Sequence, residues 1–230
     1  GSGSIDRKPI RLTETARLVR EGDGWRLAPT GLEFAGGTAR VSGLLGGATP
    51  EIEANVARMP MTILDIFYPR LGMGGVASGN LSYRFPKSGA PSGKADMKIR
   101  GLSRAGLVLT SQPVDVAVAG VLNGSSAGAR MIAQSGGKEI GRAQMRLSGI
   151  ATQGELFDRL AKAPLAAQLR FNGAAGTLWR LTGIESFDLS GPVAIGADVA
   201  GTLAAPQIKG SLWTNDARIE SAVTGMVLTN

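Results

Sequence analysis

The chain has 230 residues, 43% of them apolar, enough to bury a core in one large all-β domain, and it contains neither histidine nor cysteine. That double absence removes the usual general base near neutral pH, thiol nucleophiles, disulfides and the common zinc ligand sets, so the composition argues against an enzyme and calls for no cofactor or metal. The net charge of +7 is carried by Lys and Arg scattered singly along strand-like runs, which reads as a solvated outer face with no nucleic-acid partner.

In chain order, Gly1-Ser2-Gly3-Ser4 reads as a cloning scar, with residues 1–8 a disordered start and 9–230 one continuous β segment. Periodicity and breakers predict strands near 8–20, 24–28, 31–35, 38–46, 51–58, 75–85, 94–101, 105–110, 113–122, 127–134, 138–148, 165–172, 191–203, 206–213, 216–222 and 225–229. The short connections predict antiparallel pairing of neighbours as a meander. Val114, Val116 and Val118 alternate with Asp115, Ala117 and Ala119, and the runs 81–85 and 143–147 repeat the pattern, so each strand has one apolar and one wet face.

Three helical signals interrupt the strands. Residues 59–69 carry Pro60 in a first turn, Ile63, Leu64 and Phe67 at helical spacing, and Pro69 as a stop. Thr152 and Glu155 have capping-box spacing ahead of a face made by Leu156, Phe157 and Leu160, and residues 177–181, with Leu178 and Leu181, form a weaker third. These apolar faces suit either packing onto the sheet or plugging the mouth of an open apolar groove. An internal echo relates about 55–101 to 170–213: Ala90-Pro91 and Lys94 match Ala205-Pro206 and Lys209, and Ile63 to Ile66 match Leu178 to Leu181. Such self-similarity favours an elongated, repeat-built sheet.

Motifs that could carry chemistry reduce to turns. Ser135 and Lys138 have the spacing of a serine-lysine pair but stand between two alternating runs, where a hairpin accounts for them. The glycines at 72–77 precede a strand instead of joining a strand to a helix, and 89–94 lacks phosphate-loop spacing. No apolar run reaches the length of about 18 residues needed to span a bilayer. The strand pattern at both ends reads as a segment of a longer β-rich protein.

Pro60-Met61-Thr62-Ile63-Leu64, then 75–81 (Gly-Val-Ala-Ser-Gly-Asn-Leu), then 201–212 with its Gly-Thr-Leu, Pro-Gln-Ile-Lys-Gly phrase, together with 179–183, resemble the TamB family, the inner-membrane subunits of the translocation and assembly module, over roughly residue 9 to the end. The resemblance implies a mainly β, elongated, curved, mostly antiparallel sheet folded into an open taco-like groove with an apolar interior and two or three short helices. It further implies a periplasmic location in a Gram-negative bacterium, in a protein anchored in the inner membrane by a part outside this segment. The implied partners are a TamA-like outer-membrane barrel and phospholipid acyl chains.

If the apolar strand faces curl toward each other without closing, the groove is lined by Tyr83, Phe85, Met97, Ile99, Val116, Val118, Leu122, Met145, Leu147, Leu169, Phe171, Ile195, Val199 and Ile208. Ile63, Leu64, Phe67, Leu156, Phe157, Leu160, Leu178 and Leu181 would then stand at its mouth. Three functions fit: a conduit shielding phospholipid acyl chains between membranes, a template for outer-membrane β-barrel proteins such as autotransporters, and a structural spacer with a packed interior.

Overall fold

The computed structural model describes residues 1–5, 8–66, 68, 71–106, 109–221 and 224–229. Strands β1 (Ser2–Ile5), β2 (Lys8–Leu12), β3 (Leu18–Glu21), β4 (Gly24–Phe34), β5 (Gly37–Gly46) and β6 (Glu51–Pro60) lead into a 3-10 helix (Met61–Ile66). Then follow β7 (Met73–Arg84), β8 (Ser92–Arg104), β9 (Val114–Asn123), β10 (Ser126–Ser135), β11 (Lys138–Leu147), α1 (Leu156–Lys162), β12 (Leu165–Ala174) and α2 (Ala175–Thr182). The chain ends with β13 (Phe187–Ser190), β14 (Pro192–Gly201), β15 (Pro206–Thr214), β16 (Arg218–Ser221) and β17 (Val227–Thr229).

Alternation and short turns combine into one open, 14-stranded antiparallel sheet in near-sequential order from β1 to β15, with no closure into a barrel. Ser135 pairs with Lys138 across Gly136 and Gly137, both at positive φ, so the serine-lysine spacing is a two-residue hairpin. The echo regions each fold as a helical turn followed by an antiparallel pair: the 3-10 helix with β7 and β8, and α2 with β14 and β15.

Several elements differ from the sequence reading. The first residues, expected to be disordered, form edge strand β1 against β2. The run 8–20 breaks into β2 and β3, which pair with opposite ends of β4. The two strands expected at 24–28 and 31–35 are one strand, β4, with a register shift between Leu27 and Thr30 around Pro29, whose missing N–H cannot join the ladder. Of the strand at 105–110 only an Ala105–Thr110 bridge is described, residues 107 and 108 lying outside the description. The sheet is not continuous to the end: β16 and β17 leave it and pair with β13, which the sequence reading missed. The departure follows Asp216 in the left-handed region, where its carbonyl lies so close to Gly191 that a Cβ there would sit 2.2 Å from it.

Candidate functional site: the two faces of the sheet

Register fixes which side chains share a face. Met97, Val118, Met131, Ala143, Leu169 and Ala197 are successive cross-strand neighbours from β8 to β14, and Ile99, Val116, Ala133, Gly141, Phe171, Ile195 and Leu212 form the next row. On the same face, on the other flank of the first row, Ala95, Gly120, Ala129, Met145, Ala167, Val199 and Ile208 are aligned, and beyond them Tyr83, Gly93, Leu122, Ala127, Leu147 and Leu165. The residues expected to line a groove thus all lie on one face; Phe85 continues that side one residue past β7.

They are not equally accessible. Phe85, Leu147 and Phe171 are buried, and Ile208 on edge strand β15 is 69% exposed. The other ten are half-buried, whereas the alternate residues of the same strands, such as Asp115, Ala117 and Ala119, are exposed. The apolar face is accordingly the more sheltered one.

Helical segments flank this face at the two ends of the strands. Leu160 of α1 packs on the buried cluster Leu147, Ile150, Ala163 and Leu165. The connection carrying α1 leaves β11 and reaches the β7–β8 turn, where Gly89 N–H donates to the Thr152 carbonyl and Ser88 bridges Gln153. Arg159, 3% exposed, donates from its guanidinium to the main-chain carbonyls of Ala151, Pro86 and Gly89 and stands 4.2 Å over the Phe85 ring. Tyr83 stacks on Phe85 at 6.0 Å. Burial pushes the Tyr83 phenol above its usual pKa, and the nearby Arg159 charge pulls against that rise.

At the opposite end, α2 leaves β12 and meets β8. The Arg104 guanidinium donates to the carbonyl of Thr182 at 2.7 Å, and Arg180 holds Asp188 through two bonds, at 2.9 and 2.6 Å, while also reaching the Thr110 carbonyl. The Arg180 partnership holds the Asp188 carboxyl below the usual carboxylate pKa. β8 and β12 are four strand spacings apart, about 19 Å along a flat sheet, so these bridges run across the width of the apolar floor. The 3-10 helix sits nearer β4 to β6, where Ile63 packs on Phe34, Ala39 and Met59 and Leu64 is half-buried.

The mouth residues do not all behave as the sequence pattern suggests. Phe157 is 83% exposed, and the inward side of α1 carries Arg159 and Leu160, with Ala163 buried just past the helix end. Thr152 does not cap the helix: Glu155 occupies that position and makes no side-chain bond there. Leu178 is exposed and Leu181 half-buried. Phe67 and the side chain of Leu156 lie outside the description.

The opposite, polar face is hollowed. A groove of about 1570 Å³ runs across it from β5 to β14, and a second of about 1020 Å³ continues it toward β3. Most strands from β6 to β12 lend two polar-face residues with the residue between them, as in Glu53, Ala54 and Asn55 or Gln144, Met145 and Arg146. Of the expected apolar lining, Met145 and Val199 touch the larger hollow and Tyr83 and Leu122 the smaller. Arg26 holds the β3 end, donating to Glu21 and, at 2.6 Å, to Glu51. This hollow and its charges were not legible in the sequence.

Among the described residues there is no cluster of potential metal ligands and no helix long and apolar enough to cross a membrane. No family profile, curated protein or solved structure matches the chain.

Proposed function

We propose that the apolar face holds hydrocarbon, and that the chain is a segment of a periplasm-spanning envelope protein shielding phospholipid acyl chains on their way between inner and outer membranes. One observation carries the reading. A sheet with an apolar face ordinarily buries it under a second layer, yet the two buried clusters among the described residues lie at the ends of the strands, where Leu160 of α1 and Ile63 of the 3-10 helix pack. Val118 and Leu169 are half-buried and belong to neither cluster of described residues.

An acyl chain fits that face by simple physics. Exposing a 16-carbon tail to water costs on the order of 12 kcal/mol, at about 0.8 kcal/mol per methylene, and an apolar floor removes much of it. The row Ala95, Gly120, Ala129, Met145 and Ala167 is mostly of low side chains, between the rows of Val118 and Leu122. Walls that contact every methylene alike bind without fixed register and permit sliding. Direction would come from elsewhere in the system, together with the inner-membrane anchor and the outer-membrane barrel partner.

A second reading, a template that receives strands of outer-membrane proteins, is favoured by the exposed edge: Ile208, Leu212 and Trp213 all stand on β15, which has no strand on its far side among the described residues. The test uses neighbours on opposite faces. Val118→Asp puts a carboxylate on the floor, and Ala117→Asp puts the same group one residue away on the other face. Mass spectrometry of the purified protein should find phospholipid with the parent chain and with Ala117→Asp and little with Val118→Asp. Equal lipid in all three contradicts the conduit, and peptide in place of lipid favours the template.

A further inference from the structure

We propose that the hollow on the polar face is a binding groove for a linear, carboxylate-bearing polysaccharide, a ligand class distinct from the acyl chains on the other side. Nearly every strand that the groove crosses presents a polar group in one cross-strand row: Asn55, Asn80, Asp96, Arg130, Gln144, Gln168 and Asp198. Asn55 donates to Asn80 at 2.5 Å, Gln144 to Gln168 at 2.8 Å, and Gln168 to Asp198 at 3.0 Å, so the amides form a preset ladder. Amides, which both donate and accept, and carboxylates, which accept, are the complement of sugar hydroxyls. Successive strands stand about 4.8 Å apart, a step comparable with one pyranose unit of an extended glycan.

The acidic character of the ligand follows from the arginines. Arg130, opposite Gln144, and Arg146, two residues along from it, line the groove, and Arg142 and Arg170, directly opposite each other on β11 and β12, stand on the same face just beyond that lining. All four are exposed, and none makes a hydrogen bond or ion pair with another described residue. Like charges placed directly opposite across a ladder destabilise a sheet, and a bound carboxylate reverses that sign while accepting paired guanidinium bonds. The lining carboxylates Glu53, Asp96 and Asp198 lie on β6, β8 and β14, leaving β10 to β12 as the stretch for acidic units. No aromatic side chain lines the groove, so it lacks the stacking platform of a single-strand nucleic-acid site. Lipid headgroups on the apolar side are separated from it by the sheet itself.

The test is calorimetric titration of the full chain with oligogalacturonate, alongside neutral dextran, oligothymidylate and phosphatidylglycerol vesicles. The expected result is saturable binding of oligogalacturonate in preference to the other three. The double variant Arg130→Gln, Arg146→Gln, which neutralises the two lining arginines of β10 and β11, should lose about tenfold or more in affinity, while Lys138→Gln, in a distant hairpin turn, retains it. The double variant should also melt no lower than the parent chain without glycan, which separates lost binding from lost folding. Absence of oligogalacturonate binding, equal binding of oligothymidylate, preferential vesicle binding, or a double variant that binds as well as the parent would each overturn the proposal.

Discussion

Replacing Arg159 with methionine keeps most of the side-chain volume and removes the charge that ties α1 to the β7–β8 turn. Three guanidinium bonds to the carbonyls of Ala151, Pro86 and Gly89 disappear, together with the contact over Phe85. Bonds from a charged donor contribute about 1.5 to 3 kcal/mol each, and a desolvated cation over an aromatic ring about 2 kcal/mol. The desolvation cost of a buried guanidinium, several kcal/mol, is recovered on substitution, so the expected net loss is about 3 kcal/mol. That loss is local, because the strands beneath keep their own ladder. Hydrogen exchange read by mass spectrometry should therefore show amide exchange rising about a hundredfold over residues 85–91 and 148–163, with β9 to β11 unchanged. Unchanged exchange at Gly89 and Ile150 would show that Arg159 does not hold the connection. A uniform rise across the sheet would show that the connection is not an independent cover.

The remaining predictions concern the other end of the floor. Because Arg180 depresses the Asp188 pKa, the pair's contribution is fully present above the ordinary carboxyl value of 3.8 and is lost as pH falls through the depressed value. Acid unfolding monitored by circular dichroism should show the parent chain losing more stability below about pH 4 than Asp188→Asn, and parallel curves would contradict the coupling. Gly191→Ala forces a Cβ toward the Asp216 carbonyl at a φ of +95°, so it should destabilise the β13–β16 junction by about 2 kcal/mol or more, seen as a lower urea midpoint. A neutral result would mean that the junction relaxes freely.

Strand existence and face were legible in the sequence because side-chain alternation is a local property: Val114 to Leu122 shows its two faces in its own letters, and β9 obeys them. What pairs the distant ends was not legible. The seven residues of α1 are too few for helical period to fix a face, and the orientation is set by Arg159 reaching carbonyls some 70 positions away in the chain. Exposed Phe157 and buried Arg159 invert the amphipathic reading for that reason. In the same way, Arg130, Arg142, Arg146 and Arg170 look like scattered charges along the chain, and only the register of three hairpin-like neighbours gathers them. The small C-terminal sheet escaped because β13 is four residues long and its partners lie about 30 residues on.

The account rests on hydrocarbon occupying the apolar face and not the polar one, and photo-crosslinking tests that directly. A photoreactive amino acid placed in turn at Val118 and Leu169 on the floor, and at Ala117 and Arg170 on the reverse, is activated in cells and the adducts are identified by mass. Phospholipid adducts from Val118 and Leu169 and none from Ala117 and Arg170 are the predicted result. Adducts from both faces alike, or none from the floor, would contradict it.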